Sequence, residues 1–154
     1  FSPSDEIKAK MDSWYAEGTE IVFACGGGIY LSALSAAETT DGYLIGVDSD
    51  QSYIDERIVT SAMKLIPVPL KAILQSIYDS DYVLSDDYAG HDITLSIADE
   101  ACGLPTAEGS WRFNTFTVED YDTILQKVLS GEVVISDATD VQPITVVTTV
   151  DYQN

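Results

Sequence analysis

Two short apolar runs, each cut off sharply by residues that cannot continue a strand, constrain this chain more than any other feature. The first, "EIVFAC" at 20–25, ends in Gly26-Gly27-Gly28. The second, "YLIGVD" at 43–48, breaks into the polar burst Ser49-Asp50-Gln51. Between them lies a nine-residue stretch, Ile29 to Ala37, with Tyr30, Leu34 and Ala37 at helical spacing. A strand, a tight turn, a helix and another strand make the grammar of parallel right-handed crossovers. In such layers ligands sit beyond the carboxyl ends of the strands. Both the glycine turn and "VDSDQ" fall at those ends.

The flanking segments extend the pattern. Ser2-Pro3-Ser4-Asp5 reads as a helix start, with Ser2 as cap and Pro3 at the first helical position, and Ile7, Met11, Trp14 and Tyr15 follow at helical spacing to Gly18. "EIVFAC" is continuously apolar, the pattern of a strand covered on both faces. "RIVTSAM" at 57–63 is a third strand, closed by Lys64. Pro67 and Pro69 open a helix with an apolar stripe of Leu70, Ile73, Leu74, Ile77 and Tyr78. An acidic loop follows from Asp79 to Gly90, then "DITLSI" at 92–97, which alternates like a strand. The stretch from Ala98 to Phe116 reads as irregular, broken by Gly103, Pro105 and Gly109. Thr117 with Asp120 resembles a capping box for a helix carrying Tyr121, Ile124, Leu125, Val128 and Leu129, ended by Gly131. "EVVIS" at 132–136 and "ITVVTTV" at 144–150 read as closing strands. The expected fold is one α/β domain over 1–154, a mostly parallel sheet with helices on both faces.

Charge narrows the partners. With 26 acidic and 7 basic residues the formal net charge is -19, which disfavours nucleic acid and anionic membrane surfaces, since phosphates are held by clustered Lys and Arg. No apolar run approaches the ~18 residues of a membrane span. Two cysteines, Cys25 and Cys102, leave pairing open, and a buried free thiol suits Cys25 at the end of its apolar run. The sole histidine, His91, lies in the acidic loop and reads as solvated. No nucleophile elbow, zinc spacing, calcium loop, P-loop or dinucleotide fingerprint is present. The expectation is a binding protein with no catalytic residues, no metal and no cofactor.

The candidate binding residues are few. Once ionised, the Asp48 carboxylate offers two acceptors and no donor, which suits a ribose diol, and Lys64 ends the next strand beside it. Read from the residues alone, an exposed ion pair worth ~0–1 kcal/mol is the simpler account of the two. Asp50 and Gln51 read as solvating or capping the turn. The glycine turn allows close approach of backbone amides to an oxygen-rich ligand, or is simply a turn.

"GVDSDQ" followed by "IVTSAMK", and preceded by "EIVFACGGG" and the "FSPSDEIKAKMDSWYAEGTE" helix, resembles the C-terminal lobe of basic membrane protein-type substrate-binding lipoproteins, the purine nucleoside receptors of ABC importers. The resemblance covers roughly residues 1 to 80, with "VEDYDTILQKVLSGEVVIS" fitting the family's closing helix. It implies one lobe of a type I periplasmic-binding-protein fold, whose N-terminal lobe is absent from this chain and whose two lobes close about a hinge. It further implies that Asp48 and Lys64 hold the ribose, that Gly27 meets a hydroxyl oxygen, and that Phe1 stacks on the base. The partners implied are a nucleoside and an ABC permease, at an extracytoplasmic site anchored to the membrane by a lipid outside this chain. An apolar face left bare by the absent lobe, able to drive homodimerisation, follows from the same reading. The turn departs from the family at Ile29, Tyr30, Leu31 and Ser32, where a Thr-Gly and a further Gly are usual. A ligand-sensing domain of a receptor or regulator with the same fold is the alternative.

Overall fold

The computed structural model describes residues 1–136, 138–141 and 144–149. Helix α1 (Asp5–Ala16) leads into β1 (Ile21–Phe23), a 3-10 turn (Gly27–Ile29), α2 (Tyr30–Ala37), β2 (Tyr43–Asp48), β3 (Ile58–Lys64), α3 (Pro67–Asp79), β4 (Cys102–Gly103) and α4 (Val118–Leu129). The four strands form one sheet in the order β1-β2-β3-β4, with β1, β2 and β3 parallel and β4 antiparallel. The fold is therefore α/β with a mostly parallel sheet, compatible with a Rossmann-like layer or with one lobe of a periplasmic-binding-protein fold.

The core lies between α1, α2 and the first strands. Met11 and Tyr15 of α1 meet Ala33, Leu34, Ala36 and Ala37 of α2 over Val22, Leu44 and Ile58. The small side chains on α2 allow this close helix packing. Ser4, not Ser2, caps α1: its Oγ accepts from Ile7 N, so both Ser2 and Pro3 lie outside the helix. Ser32 Oγ also accepts from Ser4 N and donates to Ser4 O, tying the start of α1 to α2. Tyr15 is buried, donates from its hydroxyl to Tyr43 O at 2.8 Å, and burial pushes its pKa up to about 12. Its ring occupies the space above Gly42, where a Cβ would lie 2.3 Å from Tyr15 Cε1.

Several sequence expectations fail for lack of a packing partner. β1 is three residues long and covered on one face only, with Ile21 and Phe23 exposed. Its apolar run marks a sheet edge, not a doubly covered strand. Residues 92–97 form no strand, and Ile93 and Leu95 face solvent. Residues 132–136 and 144–149 form none either, with Ile144 and Val146 fully exposed, and Val150 lies outside the described residues. β-branched residues favour a strand only where a neighbouring strand and a packed face exist. α3 forms as expected, yet none of its residues is buried, and Leu70, Leu74 and Tyr78 are exposed. Cys25 and Cys102 are both free and exposed, so neither the pairing nor the buried thiol is realised.

The segment read as irregular is in fact tied down. Trp111 packs against Phe113, Phe116 and Tyr121 with ring centroids 5.1, 5.6 and 5.8 Å away, and its indole N–H donates to Phe116 O at 2.7 Å. Tyr121 Oη accepts from Leu104 N, joining α4 to the segment that carries β4. The capping box of α4 forms as its sequence implies: Thr117 Oγ1 accepts from Asp120 N while Asp120 Oδ2 accepts from Thr117 N.

Candidate functional site

The carboxyl ends of β1, β2 and β3 lie side by side and present, in that order, the glycine turn, Asp48 and Lys64. Asp48 pairs in register with Met63, which places Lys64 one residue beyond it on the adjacent strand. Lys64 Nζ stands 2.7 Å from Asp48 Oδ1, with both side chains more than half exposed. The hydrogen bond to Asp48 and then its charge raise the Lys64 pKa, with a smaller contribution from the nearby Cys25 thiol. As an ion pair alone this is worth little in stability. Its interest is directional: a carboxylate with spare acceptors and an ammonium with spare donors, side by side and facing solvent, match the alternating donor and acceptor of a vicinal diol.

At the next strand end, Gly27 adopts φ +56, and a Cβ there would lie 3.2 Å from both the Phe1 Cβ and the Phe1 carbonyl oxygen. The left-handed backbone favours glycine there, and the Phe1 contact leaves little room for a side chain. The Phe1 carbonyl accepts from Gly28 N at 2.8 Å, which seats the start of the chain on the glycine turn. The Phe1 ring is 96 % exposed. The structure thus brings Asp48 to Lys64 and Phe1 to Gly27, on neighbouring strand ends.

The loop after β2 is more built than its sequence suggests. Gln51 is buried, its Oε1 accepts from Val47 N at 3.1 Å, and its own N donates to Ser61 Oγ at 3.1 Å. Asp50 caps the turn as expected, accepting from Ser52 N, but it also accepts from Ser110 Oγ, sixty residues away. Burial pushes the Asp50 carboxyl up, while hydrogen bonds from Ser110 and Ser52 and the Arg112 charge outweigh it and hold the group below its ordinary range. Arg112 donates to two carbonyls of the same loop, Ser52 O at 2.8 Å and Asp55 O at 2.6 Å, and to Ile58 O at the start of β3 at 3.1 Å. Gln51 caps the turn as one of its two expected roles but is buried, not solvated, and sequence reading missed Ser110 and Arg112. The available signal was an arginine among aromatics in a stretch without periodicity, in a chain that contains only two arginines.

Two surface concavities, of about 530 and 630 Å³, flank Tyr43 and are lined by Asp41, Gly42, Glu56, Arg57 and Arg112 and by Tyr15, Glu20, Glu38 and Thr40, among others. Both lie at the amino ends of the strands, where Arg57 is held by Asp55 and Arg112 by carbonyls. At the carboxyl-end rim the exposed polar groups are the Asp48 carboxylate and the Lys64 ammonium, already paired with one another. Among the described residues no group of three or more His, Cys, Asp or Glu is placed to hold a metal, and His91 is exposed in its loop. Among them, too, no helix is long and apolar enough to cross a membrane.

No family model and no curated protein matches this sequence. Among solved structures, the chain is similar to a protein from Bacillus halodurans described as a transcriptional activator of the comK gene, with a TM-score of 0.61 and 14% identity. The match covers 83% of this chain and 43% of the other, so this chain spans less than half the length of that neighbour. At that identity the likeness is one of fold.

Proposed function

We propose that this chain is one lobe of a solute-binding protein that grips a purine nucleoside or a related ribosyl compound, as the extracytoplasmic, lipid-anchored receptor of an ABC importer. The observation that carries the reading is the Asp48–Lys64 pair at 2.7 Å on adjacent parallel strand ends, next to a glycine turn on which Phe1 is seated. Asp48 accepts from the ribose hydroxyls, Lys64 donates to them, the Gly27 region offers its backbone, and Phe1, exposed at the same turn, stacks on the base. The role proposed for these groups is capture of the ligand, each acting only as a hydrogen-bond or stacking partner. With one wall only, most of the ligand's surface stays in water, and affinity is expected near the millimolar level, about -4 kcal/mol.

The test is a heteronuclear NMR titration of this chain with adenosine, inosine and guanosine. Saturable shifts confined to Phe1, Gly27, Asp48 and Lys64, abolished in Asp48→Asn, support the proposal. Shifts spread over the surface, or identical in Asp48→Asn, refute it.

A further inference from the structure

Asp48 reaches the rim through a backbone conformation that L-residues avoid. Its φ is +67, and Ser49 N donates to Val47 O at 2.8 Å across it, the bond of a one-residue γ-turn. Left-handed φ crowds Cβ against the following carbonyl, and such conformations persist only where their surroundings over-determine them. The surroundings here can be named. Tyr43 N donates to Glu20 O of the edge beside β1, and alternate residues of a strand face the same edge, so Val47 N points past the end of β1, whose last partner is Ile45. Gln51 Oε1 takes that amide in place of the missing strand. The Gln51 side chain folds over Gly46, where a Cβ would lie 2.5 Å from its Oε1. Gln51 N is fixed by Ser61 Oγ, Asp50 by Ser110 Oγ, and Ser110 by Ser52 Oγ at 3.2 Å. Arg112 gathers the carbonyls on the far side of the loop.

We propose that Gln51, Ser110 and Arg112 are positioning residues for the ligand-binding rim: they hold the strained turn that aims the Asp48 carboxylate at Lys64, although none of them touches ligand. The inference rests on the nucleoside reading only for its functional consequence. Its structural content concerns the Asp48–Lys64 geometry in the free protein. Without the clasp, Asp48 relaxes to ordinary extended backbone and the binding-competent state becomes a minor population, so apparent affinity falls in proportion, by about tenfold.

The experiment compares the wild-type chain with Gln51→Ala, Ser110→Ala and Gln51→Glu, the last keeping an oxygen within reach of Val47 N. Arg112 is left intact because its removal threatens the fold. Each folded variant is followed by NMR through the titration of the Lys64 ammonium without ligand, through the Asp48 amide-to-Hα coupling, and through adenosine binding. The expected result is that Gln51→Ala and Ser110→Ala keep the fold while Lys64 returns toward the ordinary lysine range, the Asp48 coupling changes, and adenosine binds about tenfold more weakly. Gln51→Glu restores all three. A merely structural role lowers Tm and leaves the Lys64 titration where it was, and that outcome, in either folded variant, overturns the proposal. If wild-type protein binds no nucleoside, the proposed function falls, while the Lys64 titration still decides the positioning role.

Discussion

Replacing Gly46 by alanine tests the built loop at its tightest point. The new Cβ would stand 2.5 Å from Gln51 Oε1, 2.7 Å from Ser61 Oγ and 3.2 Å from Gln51 Cβ. The first two atoms sit at the ends of side chains, but each is committed: Oε1 to Val47 N and Oγ to Gln51 N. Moving them breaks buried hydrogen bonds. Overpacking of this kind costs ~1–3 kcal/mol, and a buried amide left without its acceptor costs a further ~1–3 kcal/mol. The reduced freedom of the unfolded chain returns ~0.4–1 kcal/mol. The net is a loss of roughly 2–5 kcal/mol, a fall in Tm of roughly 5–15 °C for a chain of this size. Differential scanning calorimetry of Gly46→Ala in the wild-type and Gln51→Ala backgrounds separates the cause. With the Gln51 amide gone the same substitution is expected to cost about 1–2 kcal/mol less, a coupling typical of residues in contact. Equal costs in the two backgrounds would show that the Gln51 side chain does not lie over Gly46.

Other outcomes follow from the same structure. Tyr15 holds its proton to about pH 12 in the folded chain and to about 10 in the unfolded one. Between those values the folded state binds more protons, so stability must fall as pH rises through this window; Tyr15→Phe flattens that stretch of the Tm–pH curve and costs about 1 kcal/mol at neutral pH through the lost bond to Tyr43 O. Lys64→Ala is expected to change urea-unfolding stability by less than ~1 kcal/mol because both partners are exposed, while abolishing any nucleoside-dependent shift. Leu74→Glu on α3 should change stability by no more than ~0.5 kcal/mol and Tm by no more than ~2 °C, since Leu74 is 57 % exposed. If the bare α3 face mediates homodimerisation, sedimentation velocity will show the same change abolishing it.

The sequence was most readable where local chemistry and tertiary packing agree. β2 and β3 carry their own apolar residues and their own terminators, and Thr117 with Asp120 satisfies the start of α4 without outside help. Agreement failed where a segment's fate depends on a partner distant in the chain. Residues 92–97 and 144–149 have strand-like side chains and no strand to pair with. β4 has two residues of no strand character and pairs because Leu65 N reaches Ala101 O and brings it alongside Lys64. The places of Asp48, Lys64 and the glycine turn at strand ends were legible, while a ligand-binding part for Gly27 rested on the family resemblance and the Asp48–Lys64 pair by itself read more simply as an exposed ion pair. The burial of Gln51 was not legible, because a glutamine that replaces the end of a missing strand looks, in sequence, like one in a solvated turn. Ser110 and Arg112 lie some sixty residues from what they hold.

That separation has a temporal side. At about 5–20 residues per second, the three parallel strands are synthesised several seconds before Ser110 and Arg112. For most of that interval the nascent chain carries the residues of its core helices and three parallel strands but neither β4 nor the groups that fasten the loop behind Asp48. The loop behind Asp48 can be fastened only once Ser110 and Arg112 have been made, late in the chain though ahead of α4.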